Sequence, residues 1–171
     1  MKRLILVQGL VCVLVLSASL SFAQRENLII PYTAFFADLM QPTFSTGDDW
    51  NSDGDYLYRN DNSGDLIAPI YFPPSADGKK IWRLGVLYYD NHASADLRVE
   101  LYKTDFLSGN KTLVASWNSS GDTASKRTGY LRYWAMSGRG IDSNRYSWWV
   151  RVGFEDSGTV LRLYSIRIEY E

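Results

Sequence analysis

The stretch from Ile81 to Tyr102 alternates apolar and polar side chains in two segments, and a short polar turn separates the segments. A period of two over this length is typical of an antiparallel sheet with one buried face. The pattern predicts a β-hairpin, with one strand on each side of the turn. The side chains that we expect to face the core are Trp82, Leu84, Val86, Tyr88, Leu97, Val99 and Leu101.

The same alternation returns near the end of the chain. Strands are predicted over 146–154 and 159–170, joined by a turn rich in Asp, Ser and Gly. In the second of them the apolar phase changes between Leu163 and Tyr164. A phase change of this kind is typical of a β-bulge, in which one extra residue shifts the alternation.

Several other short strands are predicted between turns. Pro31 interrupts an opening strand over 27–36, and proline cannot donate to a sheet ladder, so we expect this strand to lie at a sheet edge or to carry a bulge. Further strands are predicted over 66–72 and 111–117, and a polar connection over 118–129 precedes another at 130–136. No stretch has a helical repeat. The chain is therefore predicted to be all-β, a two-sheet antiparallel sandwich of jelly-roll or Greek-key type.

The first residues have the pattern of a secretory signal peptide. Lys2 and Arg3 precede an apolar run over 4–16, and small residues lead to a predicted cleavage site after Ala23. The apolar run is shorter than the roughly 20 residues that span a bilayer, which favours cleavage over a membrane anchor. Residues 24–171 are then predicted to form a single secreted domain.

Composition narrows the classes of partner. The chain has 18 Lys and Arg against 19 Asp and Glu, so nothing in the charge balance points to nucleic acid. No later stretch is apolar for long enough to insert into a membrane. The single cysteine, Cys12, lies in the predicted signal peptide, so the exported domain is expected to lack disulfides. Aromatic residues, 15% of the chain with six tryptophans, are expected to supply its core.

Several phrases of the sequence resemble those of a known group of proteins. They are the segments Ile30–Phe35, Ala68–Pro73, Tyr88–Asn91 and Asp96–Leu97, with the closing runs NRYSWWVRV and LYSIRIEY. Together they resemble a family of small secreted bacterial β-sandwich proteins of uncharacterised function. The resemblance implies a sandwich fold and export, and it implies no particular activity.

An acidic stretch has the spacing of a calcium-binding loop. Oxygen ligands at alternate positions, with Gly54 allowing a sharp turn, can converge on one hard cation. The twelfth position is Asn60 where an EF-hand needs a glutamate, so a full EF-hand is not predicted. An ordinary Asx-rich surface loop without metal is the alternative. The candidate Ca²⁺ ligands are Asp49, Asn51, Asp53 and Asp55.

Four aromatic residues are candidates for a ligand site. The alternation directs Tyr89, Tyr102 and Trp149 outward, and Trp50 lies beside the acidic loop. Exposed rings near carboxylates and amides can stack on sugar rings and bind their hydroxyl groups, as in carbohydrate-binding sandwiches. The alternative is that a loop or an associating subunit covers these rings.

The sequence shows no catalytic constellation. His92 is the only histidine and lies in the predicted turn, where it has no evident orienting partner, so we interpret it as a solvated turn residue. Zinc ligation is not expected with one histidine and no cysteine in the exported domain. A glycosidase needs two facing carboxylates, and no pair stands out among the 19 acidic residues.

These observations favour an exported binding module without enzymatic activity. Its ligand is expected to be a glycan or a cell-surface protein, with Ca²⁺ ordering the acidic loop. One alternative is a structural subunit that self-associates through strand edges, motivated by the proline in the first strand. The other is a glycoside hydrolase whose carboxylate pair the sequence does not reveal.

Overall fold

A computed structural model describes residues 25–37, 50–52, 56–59, 65–156 and 158–171. Within these residues, eleven strands form two antiparallel sheets. Their helical segments are three 3-10 turns of three residues each, and no described helix could cross a bilayer. The strands are β1 (Glu26–Pro31), β2 (Phe36–Ala37), β3 (Trp50–Ser52), β4 (Leu57–Arg59), β5 (Leu66–Ile70), β6 (Ile81–Asp90), β7 (Leu97–Asp105), β8 (Lys111–Asn118), β9 (Thr123–Arg132), β10 (Tyr146–Phe154) and β11 (Gly158–Tyr170).

The two sheets face each other across one apolar core. Sheet A has the order β3-β4-β11-β6-β9, with β1 also paired to β11, and sheet B has the order β2-β5-β10-β7-β8. Aromatic side chains bridge the sheets, as where Phe72 meets both Trp148 of sheet B and Tyr170 of sheet A edge to face at 5.5 Å. The predicted all-β antiparallel sandwich is confirmed. Side chains with no exposed surface include Leu84, Val86, Ile166 and Ile168 of sheet A and Leu97, Val99, Leu101, Val150 and Val152 of sheet B.

The predicted hairpin over 81–102 is wrong. β6 pairs with β11 and β9 in sheet A, whereas β7 pairs with β10 and β8 in sheet B. The segment 91–96 crosses from one sheet to the other. Each strand must bury one face in the core. Two consecutive strands can do this as neighbours in one sheet or as members of the two opposite sheets of a sandwich. The alternation therefore specifies two half-buried strands and leaves their pairing open.

Trp82 lies outside the core, contrary to the prediction. The pairing between β6 and β11 shifts at this point, so that Glu169 pairs with Arg83 and Tyr170 with Ile81. Trp82 is the extra residue of this bulge, and Ile81 takes the fully buried place next to the core. The indole is half-buried and stacks on Tyr133, with ring centroids 4.3 Å apart. The other predicted core residues of β6 and β7 are buried as expected.

The opening segment divides between the two sheets. β1 ends at Pro31, a 3-10 turn follows over Tyr32–Ala34, and β2 joins sheet B. The expected single strand over 27–36 is therefore wrong. The expected edge position is confirmed, because β1 pairs only with β11 among the described strands. Pro31, as the last residue of β1, interrupts no interior ladder.

β9 begins earlier than the sequence predicts. It covers Thr123–Arg132, where we expected a polar connection up to residue 129 and a strand over 130–136. Its only partner among the described strands is β6, and its first residues are exposed. An edge strand of polar residues lacks the apolar period that makes strands recognisable. Tyr133–Ala135 forms a 3-10 turn instead of extending the strand.

The predicted bulge in the last strand is confirmed. Leu161 and Leu163 are fully buried, and after the bulge Ile166 and Ile168 are fully buried in the opposite phase. The pairing of β11 with β6 shifts between Leu163 and Ser165. One extra residue therefore lets both halves of β11 direct apolar side chains into the same core.

Candidate functional site

Two of the four predicted ligand-binding aromatics meet on the outer face of sheet B. Tyr102 of β7 is directly opposite Trp149 of β10. Their rings are stacked, with centroids 4.4 Å apart and planes 9° from parallel. Both side chains are half-buried. We call the outer face of sheet B around this pair the Tyr–Trp face.

The strand register places smaller or flatter groups on both sides of the pair. Pro69 of β5 is exposed and lies next to Trp149, and Leu113 of β8 is 42% exposed and lies next to Tyr102. The indole N–H of Trp149 donates to Thr104 Oγ1 at 3.1 Å, which fixes the ring orientation. The ammonium of Lys111 lies 5.4 Å from the Trp149 ring centroid. The result is an apolar row across the sheet, with Thr104 and Lys111 along one side of it.

A charged network borders this row on its other side. The guanidinium of Arg151 lies between two carboxylates, 2.6 Å from Glu100 Oε2 and 3.3 Å from Asp65 Oδ2. The hydroxyl of Tyr102 donates to Glu100 at 3.2 Å and accepts from Arg151 at 3.4 Å. Gly153 makes room for this cluster, because a Cβ there would lie 2.7 Å from Asp65 Oδ1. The network therefore connects directly to the stacked rings.

Arg151 keeps its charge and Tyr102 keeps its proton at neutral pH. Burial by itself would lower the pKa of Arg151, but the hydrogen bond and charge of Glu100 outweigh it, and the pKa is raised. Burial also raises the pKa of the Tyr102 hydroxyl, and the charge of Glu100 adds to this shift. Tyr102 therefore stays protonated and remains a donor to Glu100. Fixed hydrogen-bond donors and acceptors beside stacked rings are suited to orienting a ligand that has both polar and apolar surfaces.

The other two predicted aromatics do not join this site. Tyr89 is half-buried on the outer face of sheet A, where the guanidinium of Arg162 lies 4.5 Å from its ring centroid. Trp50 begins β3, also in sheet A, and its side chain lies outside the described residues. The four residues therefore do not form one site, and Tyr102 and Trp149 carry the candidate.

The predicted calcium loop stays a prediction. Asp49, Asp53 and Asp55 lie outside the described residues, and Asn51 is described only as part of the β3 backbone. Among the residues that the structure does describe, no group of three His, Cys, Asp or Glu side chains could hold a metal ion.

His92 is held in place more firmly than a solvated turn residue. Its Nε2 lies 3.1 Å from Asp156 Oδ2, and its Nδ1 accepts from the Ser94 backbone N–H at 3.2 Å. The fully buried Asp90 accepts from the His92 backbone N–H at 3.1 Å. This arrangement ties the connection at 91–96 to the turn before β11, which is a structural role.

Sequence reasoning missed the polar half of the Tyr–Trp face. Arg151 has the same outward phase as Trp149, and Glu100 has the same phase as Tyr102, so the alternation could have placed each on an outer face. Only the pairing of β7 with β10 brings the two sets together. Asp65, just before β5, has no local signal that would join it to them.

Comparisons with known proteins find a similarity to solved structures. No family model matches the chain, and no curated protein matches it. Among solved structures, a xylan-binding module, CBM15, is similar at 10% sequence identity, with a TM-score of 0.45. The match covers 84% of this chain and 97% of that module. The residues described above, and not this similarity, support the function proposed below.

Proposed function

We propose that this protein is an exported, non-catalytic carbohydrate-binding module that binds a glycan chain on the Tyr–Trp face. The observation that carries the proposal is the stacked, half-exposed pair of Tyr102 and Trp149. The faces of pyranose rings carry C–H groups that pack well on aromatic rings. Each aromatic of the pair has one ring face against its partner, so stacking would use the ring faces turned towards Leu113 and Pro69.

The charged network supports the same ligand class. Sugar hydroxyls both donate and accept, and the network offers guanidinium donors beside carboxylate acceptors. Arg98 widens this edge, with its guanidinium 3.7 Å from Asp65 and 41% of its side chain exposed. Because the network is already hydrogen-bonded in the free protein, little ordering is needed when a ligand binds.

The two carboxylates of this face fit binding better than hydrolysis. Asp65 and Glu100 both contact the guanidinium of Arg151. A glycosidase needs two carboxyl groups that face the scissile bond, whereas both of these are engaged by the one guanidinium of Arg151. Export and the resemblance to secreted bacterial sandwich proteins remain predictions, and both are compatible with a module that acts outside the cytoplasm.

Glycan binding is tested with single substitutions in the stacked pair. Isothermal titration of the purified protein with xylohexaose, cellohexaose and mannohexaose would measure the affinity. We expect at least one of them to bind, and Trp149→Ala and Tyr102→Ala to weaken it about tenfold or more, or about 1.4 kcal/mol. Trp149→Phe, which keeps a ring, should lose less.

The matched control is Trp134→Ala. Trp134 is 66% exposed, lies in the 3-10 turn after β9, and contacts Tyr133, which stacks on Trp82 of sheet A. Its substitution should leave the affinity unchanged. Equal loss in Trp134→Ala and Trp149→Ala, or no binding by the wild-type protein, would contradict the proposal. Thermal unfolding of each variant shows whether a lost affinity reflects a lost fold.

A further inference from the structure

The outer face of sheet A, on the opposite side of the sandwich, contains a shallow depression of about 230 Å³. This volume is below the roughly 300–1,000 Å³ of pockets that enclose drug-sized ligands, and it suits one ring of a longer chain. We call it the Gly85 depression. It is lined by Gly85, Leu87, Thr128, Tyr130, Ser165 and Arg167.

The absence of a side chain at Gly85 creates the depression. Gly85 is in the middle of β6, directly between Tyr130 of β9 and Arg167 of β11. A Cβ at this position would lie 3.3 Å from Tyr130 Cε1 and 3.7 Å from Arg167 Cβ. Any larger side chain would therefore fill the space between the two. Glycine weakens a strand interior and is often found where another group approaches the backbone closely.

Tyr130 offers an aromatic surface to the depression. Its side chain is 48% exposed. The guanidinium of Arg83 lies 4.5 Å from its ring centroid. By register, Arg83 and Leu87 are the outward residues on either side of Gly85, so Arg83 covers the side of the ring away from the depression. Arg83 is itself fixed by a hydrogen bond of 2.8 Å to Glu169.

The charge of this face favours an anion. Along β6, β9 and β11, the outward positions carry five cationic side chains and a single carboxylate, Glu169. Glu169 is buried, bound to Arg83 and 4.0 Å from the Arg167 guanidinium, so this one carboxylate is shared between two of the five cations. The chain as a whole has a formal net charge of −1, so this positive face is a local feature. The cationic residues are Arg83, Lys126, Arg132, Arg162 and Arg167.

The rim of the depression has the donors that an anionic sugar requires. The side chain of Arg167 is 51% exposed, and its guanidinium is 4.0 Å from Glu169. Its planar fork can bind two oxygens of one anionic group at once. Thr128 and Ser165 add hydroxyl groups across the depression from each other. An aromatic surface, two hydroxyls and a guanidinium within one shallow space match a sugar ring that carries a negative charge.

We propose that the Gly85 depression binds an anionic sugar residue, a uronic or a sulfated unit, within a polysaccharide. This site is separate from the Tyr–Trp face and does not depend on the function proposed for that face. A protein with both sites could hold two glycan chains on opposite sides of one sandwich.

Calorimetric titration at low ionic strength tests the site with three probes of similar length. Oligogalacturonate supplies carboxylates, an oligo-carrageenan supplies sulfates, and xylohexaose is neutral. We expect at least one anionic probe to bind, and added salt to weaken its affinity because surface charges are screened. The affinity of neutral xylohexaose, whose expected site is the Tyr–Trp face, should change little with salt. The probe that binds identifies the anionic group.

Substitutions then locate the binding. Arg167→Gln and Tyr130→Ala should each weaken the anionic probe about tenfold or more, or about 1.4 kcal/mol. Arg167→Lys and Tyr130→Phe, which keep the charge and the ring, should lose less. Arg145→Gln is the matched control, because Arg145 is similarly exposed, at 56%, and lies outside sheet A. It removes the same charge and should leave the affinity unchanged.

Amide chemical-shift mapping of the wild-type protein locates the ligand without any variant. Shifts centred on Gly85, Thr128 and Ser165 would support the site. Failure of both anionic probes to bind would overturn it, as would equally large shifts of the same three amides with xylohexaose. So would an affinity for the anionic probe that is lost in Trp149→Ala and kept in Arg167→Gln, since that result places the ligand on the Tyr–Trp face.

Discussion

Asp105, at the end of β7, is the residue that ties the turn after β7 to the segment before β10. Its Oδ1 accepts from the backbone N–H groups of Leu107 at 2.9 Å and Ser108 at 3.1 Å. Its Oδ2 accepts from Arg145 Nε at 2.9 Å. The hydrogen bond from Arg145, followed by that from Ser108, lowers the pKa of Asp105 below its ordinary value.

We predict that Asp105→Asn lowers the melting temperature at neutral pH. A carboxylate with a lowered pKa stabilises the fold above its unfolded pKa of about 3.9, and this contribution is lost as the pH falls through the folded pKa. The difference in melting temperature between wild type and variant should therefore narrow as the pH falls below about 3.9. Thermal unfolding between pH 2 and pH 7 measures it.

The control for this pH dependence is Asp122→Asn. Asp122 is an exposed residue between β8 and β9. Its substitution should change the melting temperature little at any pH. A difference between Asp105→Asn and wild type that stays constant down to pH 2 would show that the charge of Asp105 does not contribute.

For single residues, the sequence predicts whether a side chain faces the core or the solvent better than it predicts which side chains it contacts. The alternation correctly directs Tyr102 and Trp149 outward and Leu97 inward, because the side-chain period of a strand is a local property. It could not show that Tyr102 meets Trp149, since that contact depends on which strands pair. Trp82 was misplaced because the bulge that moves it is set by the register against β11.

Among the elements, β9 and β8 show how closely the two sheets interlock. Gly129 of β9 faces inward, and a Cβ there would lie 2.1 Å from Trp117 Cζ2. Trp117 belongs to β8 of sheet B, and its ring also meets Tyr88 of β6 at 4.9 Å. The indole therefore occupies the space above the glycine and connects the two edge strands across the core.

We predict that Gly129→Ala destabilises the protein by about 1–3 kcal/mol, the usual cost of overpacking a core. Urea unfolding gives the free energy. Gly140→Ala is the control, since a Cβ at Gly140 has no atom within 4 Å, and it should change stability by less than about 0.5 kcal/mol. Adding Trp117→Phe to Gly129→Ala should recover part of the loss. Equal stability of the two glycine variants would contradict this account.

The bounds of a strand were predicted well where one of its faces is buried in the core, and poorly where neither face is. β10 and β11 have an apolar phase over most of their length, and their bounds and even the bulge of β11 were recognisable. The first four residues of β9 are all exposed and no residue of the strand is fully buried, so its sequence resembles that of a loop. The mistaken hairpin of β6 and β7 has a different cause, because alternation fixes a buried face and does not fix a neighbour.

For the whole molecule, the position of β11 decides how the sandwich holds together. β11 pairs with β6 on one side and with both β1 and β4 on the other, so it is central to sheet A. β1, in contrast, is paired only to β11 among the described strands. The two strands are neighbours, yet their contributions to the fold should differ greatly.

We predict that deleting 158–171 abolishes cooperative unfolding, whereas deleting 25–31 only lowers the melting temperature. The first deletion removes the centre of sheet A together with four fully buried core residues, and the second removes an edge strand with one buried residue. Circular dichroism melts and dye binding to exposed apolar surface would distinguish the two. A cooperative transition in the protein without 158–171 would contradict the central role of β11.

The central place of β11 also sets the timing of folding. Its three partner strands all precede it in the chain, so each is synthesised before the strand that joins them. Synthesis at about 5–20 residues per second leaves β6 without its main partner for several seconds. Sheet A therefore closes late, and the apolar face of β6 needs protection until then. For a chain that we predict to be exported, a sheet A that stays incomplete during synthesis is compatible with export of the polypeptide before it folds.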